Sequence, residues 1–244
     1  MTVTLRTAGV VAPAAVPGHS FRILADAAST NGRYSFTEAT SPVGAAVPPH
    51  AHDTSVECFY VLDGLYRLTV SGAVHEAAPG DFVLVPRGAP HGFEVIGSAE
   101  GRAAVIFAPA GFEDVFRRMP EIFGTPGEPG PLWQRANAEY DTRLLDAISD
   151  GGPPAVTTLG PTGTPLEIRL CAGPRGATFG LGSAASAMWI VAGAFRVGHG
   201  ANEVVASAGQ LVTFDTGGPA DPTGATGLAH RNEALLLTFE KGLA

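Results

Sequence analysis

The sequence predicts an all-β protein made of two similar halves that are joined by a short helical linker. One observation is the composition: 32 Gly and 20 Pro among 244 residues, with 16% charged residues, are typical of many short strands connected by turns. A second is that the apolar runs are short and rich in β-branched and aromatic residues. A third is that glycines of the first half recur at one fixed offset in the second half.

Four runs in the first half are predicted to be strands, because β-branched, aromatic and other apolar residues dominate them. They are residues 21–25, 32–38, 55–62 and 82–85. A turn containing proline and glycine follows the last run, and it allows the chain to return toward the middle of the sheet.

The region after these strands is predicted to contain two amphipathic helices. Apolar residues at helical spacing predict one helix between Phe112 and Met119, which Pro120 would end. A second helix is predicted over residues 133–148. Helices in this position are expected to pack on the outside of a barrel or to line its entrance.

An internal repeat predicts the domain organisation. At an offset of 129 residues, turn-forming residues coincide with identical ones: Gly44 with Gly173, Gly64 with Gly193, Gly80 with Gly209, Gly88 with Gly217, and Pro90 with Pro219. Such coincidence at one offset indicates a duplication. We therefore expect an N-terminal metal-binding barrel over residues 1–110, a helical linker over 111–155 and a second barrel over 156–244.

His50, His52, Glu57 and His91 are the candidate metal ligands. His50 and His52 would share one face of a strand, because side chains alternate along it, and Glu57 would face them across a strand pair. Three imidazoles and one carboxylate suit a divalent transition metal. The competing interpretation is a set of hydrogen-bonded core histidines in an empty barrel.

These residues belong to a pattern that resembles the two sequence motifs of the cupin superfamily. The positions of the pattern are filled by Gly44, His50, His52, Glu57 and Gly64, and then by Gly80, Pro86, Gly88 and His91. Val95 stands where the pattern often ends in Asn, a residue that is usually not a metal ligand. The resemblance implies a double-stranded β-helix, or jelly-roll, barrel, and the repeat makes the chain look like a bicupin.

Residues 18–120 also resemble the quercetin 2,3-dioxygenase-like cupins of bacteria, through the stretches Phe-Tyr-Val-Leu-Asp-Gly and Gly-Asp-Phe-Val-Leu-Val-Pro-Arg-Gly-Ala-Pro-His. This resemblance implies a metal-dependent dioxygenase in which Glu57 takes the hydroxyl proton of a flavonol-like substrate and O₂ then attacks the activated ring. Glu57 would then be a catalytic base as well as a metal ligand. The alternative is that Glu57 is a ligand only.

Aromatic residues near the candidate ligands are expected to form the wall around an aromatic substrate. Phe59 and Phe93 each stand two residues from a candidate ligand, on the same face of the strand. Phe36 is a further candidate, and Phe116 or Phe123 of the linker could also contact the substrate. The alternative is that these residues are ordinary barrel core.

Imidazole and carboxylate ligands do not select a single metal, so iron, manganese, nickel, cobalt and copper are all compatible, with zinc also allowed. An alternative function is a non-oxidative cyclase, isomerase or lyase, in which the metal acts as a Lewis acid on a polyketide-like small molecule. Consumption of O₂ distinguishes the two. A third interpretation is a non-catalytic binding or storage protein.

The second half lacks the metal ligands of the first. At the offset of the repeat, their positions hold Phe179, Leu181, Ser186 and Ala220. Phe and Leu cannot bind a metal and instead fill a barrel with apolar volume. We expect a metal-free second barrel whose role is structural.

The remaining features limit the partners and the location. A net charge of −8 without a basic run argues against nucleic-acid binding. No apolar stretch has the length of a membrane span, and the N-terminus makes a poor signal peptide, so we expect a cytoplasmic protein. Cys58 and Cys171 do not make a disulfide framework. A monomer and a homodimer are both compatible with the sequence.

Overall fold

The computed structural model describes residues 3–6, 10–12, 18–123, 138–148, 166–180, 185–198, 203–214 and 224–239. The chain divides into two compact units. The N-terminal unit is Gly9–Thr158, and the C-terminal unit is Leu159–Leu243 together with Met1–Ala8. Apart from the helices α1 (Ala27–Thr30) and α2 (Glu113–Phe123), the regular elements are strands, which confirms the predicted all-β class. Neither helix has the length and hydropathy to cross a membrane, and the described residues contain no other candidate.

After β1 (Val3–Arg6), which belongs to the C-terminal unit, two antiparallel sheets build the N-terminal unit. Their strands are β2 (Val10–Ala12), β3 (Ser20–Ala25), β4 (Ser35–Ser41), β5 (Ala46–Ala51), β6 (Val56–Asp63), β7 (Leu65–Val70), β8 (Ala73–Ala77), β9 (Phe82–Val85), β10 (His91–Ile96), β11 (Gly101–Ala108) and β12 (Arg143–Leu144). One sheet has the order β2-β3-β4-β11-β6-β9, and the other has the order β12-β5-β10-β7-β8. Pairing of strands that are distant in sequence, such as β4 with β11, is typical of a jelly roll.

The core of the N-terminal unit lies between these two sheets. Phe59 and Val61 of β6 belong to this core together with Leu68 of β7. Cys58 and Tyr60 point to the opposite face of β6, and they are buried as well. Burial on both faces explains why β6 is a continuous apolar run. Each large apolar side chain buried in this way contributes roughly 1.5–3 kcal/mol to folding.

The C-terminal unit has the same kind of architecture. Its strands after β1 are β13 (Leu166–Gly173), β14 (Thr178–Gly180), β15 (Ala185–Ala192), β16 (Ala194–Val197), β17 (Val204–Ser207), β18 (Leu211–Phe214), β19 (Gly224–Gly227) and β20 (Asn232–Phe239). The sheet orders are β1-β18-β15-β20-β13 and β14-β19-β16-β17. Its core contains Met188, Ile190, Phe195, Val212 and Leu236.

Three neighbouring strands in the larger sheet of each unit match one another. β15 begins and ends 129 residues after β6, and β18 does the same relative to β9. The neighbours β11-β6-β9 of the first unit correspond to β20-β15-β18 of the second. Gly64 and Gly193, which begin the turns after β6 and β15, have φ angles of 76° and 77°. The structure therefore confirms the duplication that the repeat predicts.

The first strand departs from the predicted domain boundaries. Residues 1–110 are predicted to form the N-terminal barrel, but β1 pairs with β18 in a sheet of the C-terminal unit. The repeat begins at Gly44, so it carries no information about the pairing of residues that precede it.

The linker also departs from the prediction. α2 continues through Pro120 and ends at Phe123, because the one backbone hydrogen bond that proline removes lies close to the helix end. Of the predicted second helix, residues 138–139 are helical, residues 140–148 contain a turn and β12, and residues 133–137 lie outside the described residues. Asp141 has a φ of 58°, in the left-handed region, and this conformation stops a right-handed helix.

Candidate metal centre and its cavity

The N-terminal unit brings His50, His52, Glu57 and His91 together. His50 is on β5, His52 follows the end of that strand, and His91 begins β10, which pairs with β5 so that His91 lies opposite His50. Glu57 is on β6 in the other sheet, so it faces the histidines across the barrel and not across a strand pair as predicted. All four side chains are buried, and one potential ligand atom from each lies within 4.8 Å of the others.

The Glu57 carboxylate is the centre of this cluster. Its Oε2 lies 2.8 Å from His91 Nε2 and 3.4 Å from His52 Nε2. His52 Nε2 is buried without a hydrogen-bond partner. A buried polar atom without a partner is costly, and a metal ion at the centre of the cluster would satisfy it. The donor set of three imidazoles and one carboxylate fits a divalent transition metal.

Backbone carbonyls hold the outer nitrogen of two histidines. His50 Nδ1 donates to Pro48 O and His91 Nδ1 donates to Ala89 O, each at 2.9 Å. In both cases the acceptor lies two residues before the histidine, and a proline stands between them. A proton fixed on Nδ1 leaves the Nε2 lone pair free, and this is the tautomer that binds metal.

His52 depends on a distant segment for the same support. Its Nδ1 donates to the carbonyl of Asp141 at 3.0 Å. The carboxylate of Asp141 accepts hydrogen bonds from the backbone N–H groups of Asp53, Thr54 and Ser55 and from the Ser55 hydroxyl. Burial raises the pKa of Asp141, but the hydrogen bonds from Ser55 and Thr54 outweigh that effect and lower it.

The electrostatics of the cluster prepare it for a cation. Burial and the neighbouring His91 lower the pKa of His50 to about 3. Burial raises the pKa of Glu57, but His52 and His91 outweigh that effect and hold it well below its usual range. Burial lowers the pKa of His52, and Glu57 raises it by more. A neutral His50 and an ionised Glu57 are the protonation states that metal binding requires.

A cavity of about 390 Å³ opens beside the cluster, and His50 and Glu57 form part of its wall. The rest of the wall is mostly aromatic and aliphatic. It consists of His19, Phe21, Ala39, Ser41, Ala45, Ala46, Val47, Pro48, Phe59, Tyr66, Phe93, Ala103, Val105, Phe112, Val115, Phe116 and Met119. The last four come from α2 and the residue just before it, so the linker helix forms one side of the cavity.

The structure places the predicted substrate residues in different positions. Phe59 and Phe93 line the cavity and meet edge to face, with ring centroids 5.4 Å apart. Phe116 lines it as well. Phe36 does not belong to the wall, because it alternates along β4 with the cavity-facing Ala39 and Ser41 and is buried on the other face. The side chain of Phe123 lies outside the described residues.

Sequence reasoning missed several residues of this region. No sequence motif points to Asp141, because its hydrogen-bond partners are almost ninety positions away in the chain. His19 and Ser41 supply polar groups to the cavity from strand ends that carry no motif. Phe112 stacks on Phe107 at 4.2 Å and meets His52 edge to face at 5.2 Å. The helical spacing identified Phe112 only as part of an apolar face.

In the C-terminal unit, Phe179 is the described counterpart of a candidate ligand. Its ring lies 6.0 Å from that of Phe195, against the core of the unit. Leu181 and Ala220 lie outside the described residues, as does the side chain of Ser186.

Comparisons with known proteins agree with this geometry. Residues 37–107 match the family model for the cupin domain. Quercetin 2,3-dioxygenase of Bacillus subtilis (strain 168) is 29% identical over 98 residues, which are 40% of this chain and 29% of that protein. An uncharacterised protein of Methanocaldococcus jannaschii is 36% identical over 66 residues, which are 27% of this chain and 53% of that protein. The chain thus spans less than a third of the first relative and about half of the second.

Similarity to a solved structure covers nearly the whole chain. Oxalate decarboxylase of Bacillus subtilis superimposes with a TM-score of 0.63 at 12% identity, over 98% of this chain and 76% of that one. At this identity the likeness shows the fold alone. The cupin match spans the candidate ligands from His50 to His91, and the same architecture recurs in the second unit. The chain therefore contains a match to the cupin domain over residues 37–107, and its second unit repeats the same strand order.

Proposed function

We propose that this protein is a metal-dependent dioxygenase of the quercetinase-like type, which acts with O₂ on a flavonol or a related aromatic, enolisable substrate. The observation that carries the proposal is an apolar, aromatic-lined cavity that opens directly onto the three-histidine, one-glutamate cluster. The similarity to quercetin 2,3-dioxygenase over 98 residues supports the same assignment.

The size and chemistry of the cavity favour a compact aromatic molecule. A volume of about 390 Å³ falls within the range of roughly 300–1,000 Å³ for small-molecule sites. Phe21, Phe59, Phe93, Phe112 and Phe116 offer ring faces and edges against which a planar substrate can stack. The polar groups of the cluster would then meet the one end of the substrate that carries hydroxyl and carbonyl oxygens.

The charge of the cavity argues against a small dianion. Oxalate decarboxylases share the fold, and oxalate carries two negative charges. Among the described residues that line the cavity, none is Arg or Lys. A carboxylate buried without a cationic partner is costly, so this wall does not compensate a second negative charge. We infer that the chain uses the shared fold for a neutral, apolar substrate.

Within this proposal, the residues of the site have two roles, metal binding and proton transfer. A metal held by His50, His52, Glu57 and His91 would supply Lewis acidity and redox chemistry. A solved oxalate decarboxylase of Bacillus subtilis with the same fold is described as having Mn(II) centres. Manganese, iron, nickel, cobalt and copper all fit the donors of this cluster. Glu57 lines the cavity, so we assign to it the hydroxyl proton of the substrate. A carboxylate that holds a cation stays ionised, so Glu57 would have to detach from the metal to act as a base.

The test is O₂ uptake by protein loaded in turn with iron, manganese, nickel, cobalt or copper, with a panel of flavonols and catechol-like compounds. We expect uptake that requires both metal and substrate. His50→Ala should lose metal and uptake together. His230→Ala is the matched control, because His230 is exposed in the C-terminal unit.

Two negative results have different meanings. Uptake that is missing in every combination, although metal analysis shows a fully occupied site, would contradict the dioxygenase and leave the non-oxidative cyclase, isomerase or lyase as the explanation. Failure of the wild-type protein to bind any of these metals would contradict metal-dependent catalysis altogether.

A further inference from the structure

We propose that Asp141 is a positioning residue of the metal centre, which holds His52 and the turn after it in the geometry that binds metal. The inference rests on the proposed metal-dependent function. It concerns a segment of the linker that lies almost ninety positions from the histidine it supports.

His52 differs from the other two histidines in its surroundings. His50 and His91 lie within paired strands, and each donates from Nδ1 to a carbonyl two residues earlier. His52 lies beyond the end of β5, at the start of an irregular turn. The acceptor for its Nδ1 is the carbonyl of Asp141, at 3.0 Å. Local chain geometry therefore orients two rings, whereas the orientation of the third requires another segment.

The side chain of Asp141 holds the turn that joins His52 to Glu57. Its Oδ1 accepts from the N–H groups of Asp53 and Thr54, both at 3.0 Å. Its Oδ2 accepts from the Ser55 N–H at 2.9 Å and from the Ser55 hydroxyl at 2.6 Å. One carboxylate thus satisfies the backbone between two candidate ligands. It limits how far His52 and Glu57 can move relative to each other.

The segment that carries Asp141 is itself anchored to β5. Arg143 and Leu144 of β12 pair with Ala51 and His50, and the N–H of Leu145 donates to Pro49 O at 2.9 Å. Asp141 adopts the left-handed conformation, which aspartate tolerates better than most residues. Both the backbone and the side chain of this residue are therefore directed at the same turn.

The experiment compares metal affinity in Asp141→Asn, Ser55→Ala and Arg143→Ala with that of the wild type, using cobalt(II) and competition with a chelator. Asp141→Asn places an amide donor against the Ser55 N–H, and outer-shell changes of this kind lower metal affinity by about 10- to 100-fold. Ser55→Ala removes one of the contacts and should weaken binding by a few fold only. Arg143→Ala removes the exposed ion pair between Arg143 and Asp53, and the metal affinity of this variant should stay within about twofold of the wild-type value.

A second measurement separates positioning from general destabilisation. The visible absorption of bound cobalt(II) reports the ligand geometry, so Asp141→Asn should shift these bands, while Arg143→Ala leaves them unchanged. Thermal unfolding of the metal-free proteins shows whether each variant is folded. If Asp141→Asn does not fold, Ser55→Ala decides the question in the same assays.

The outcomes distinguish the inference from the proposed function. Weaker binding with shifted bands in Asp141→Asn and normal binding in Arg143→Ala would support the role of Asp141. The role of Asp141 would be overturned, while the metal site remains, if Asp141→Asn bound cobalt(II) with the wild-type affinity. Where Asp141→Asn does not fold, wild-type affinity of Ser55→Ala would overturn it. A wild-type protein that binds no metal would overturn both.

Discussion

The aromatic wall of the cavity is built from single residues whose contributions can be separated. Phe93 meets Phe59 edge to face and also lies 5.9 Å from the ring of Tyr66. Tyr66 is buried, and burial raises the pKa of its hydroxyl, so this group remains neutral. A substrate that stacks on Phe93 would therefore meet an uncharged surface.

Replacing Phe93 by Leu should weaken recognition of an aromatic substrate. The change removes a ring that offers about 1 kcal/mol of aromatic contact beyond area burial. We expect kcat/KM to fall by about tenfold, since loss of buried area adds to that figure. Metal content, measured by elemental analysis, should not change. Phe36→Leu is the matched control, because Phe36 is buried on the face of β4 that points away from the cavity. An equal loss of kcat/KM in both variants would contradict the assignment of Phe93.

At the scale of elements, a close approach of two chain segments fixes the turn between β6 and β7. Gly64 has a φ of 76°, and a Cβ atom added there would lie 2.5 Å from the carbonyl oxygen of Glu100. Gly193 repeats the arrangement against Arg231 O in the second unit. Only glycine fits such a position, because the conformation and the space both exclude a side chain.

Gly64→Ala should destabilise the protein more than the same substitution at a glycine whose added Cβ would contact no other atom. Positive φ costs about 1 kcal/mol for alanine, and overpacking against backbone adds about 1–3 kcal/mol. Gly32→Ala is the matched control, since Gly32 has a φ of 74° with nothing within 4 Å of the added Cβ. Denaturant unfolding should give a loss of about 1 kcal/mol for Gly32→Ala and about 3 kcal/mol for Gly64→Ala. Equal losses would show that the close approach has no energetic consequence.

A charge cluster joins three strands of the larger sheet of the N-terminal unit. Glu38 on β4 pairs with Arg22 on β3 and with Arg102 on β11. Burial raises the pKa of Glu38, but the hydrogen bonds from the two arginines outweigh it, so the pKa lies below its usual value of 4.5. A carboxyl whose pKa is lower in the folded state stabilises the protein at pH values above the unfolded pKa.

Glu38→Gln should therefore reduce stability in a pH-dependent way. At pH 7 the variant loses the charged hydrogen bonds, and we expect a decrease of about 1 kcal/mol in the free energy of unfolding, because the arginines are partly exposed to solvent. The difference between variant and wild type should shrink as the pH falls below about 4.5 and Glu38 of the wild type becomes protonated. Denaturant titrations at pH 7 and pH 4 measure this difference in the free energy of unfolding. A difference that is the same at both pH values would contradict a charge-based role.

Of the two units, the N-terminal one alone contains a candidate metal cluster among the described residues. We expect one metal ion per chain at saturation. The double variant His50→Ala, His91→Ala should then retain less than about a tenth of an ion, because too few donors remain. Metal analysis after extensive dialysis gives the stoichiometry, and His230→Ala serves as the control. Two ions per chain, or one ion that survives in the double variant, would place a site in the C-terminal unit.

Features that depend on local sequence pattern could be predicted without the structure. Alternation predicted the strands around Glu57 and Phe59. The glycine spacing predicted the duplication, because turns with positive φ recur at Gly64 and Gly193 and at Gly80 and Gly209, and such turns favour glycine. The four candidate ligands were identified for the same reason. Their spacing along two short blocks reflects strand periodicity, and this holds whatever surrounds them.

Features that depend on contacts between distant segments could not be predicted in this way. The pairing of β1 with β18 joins residues more than two hundred positions apart, and the support of His52 by Asp141 spans almost ninety. Within the predicted helix over residues 133–148, the described chain is helical at 138–139 and then turns into β12, because pairing with β5 and the left-handed conformation of Asp141 outweigh a weak helical propensity. Phe36 lies on the face of β4 that points away from the cavity. Side-chain alternation separates the two faces of a strand, but it does not show which face encloses a cavity. Contacts between distant segments carry no local signature, so they become visible only when the chain is folded.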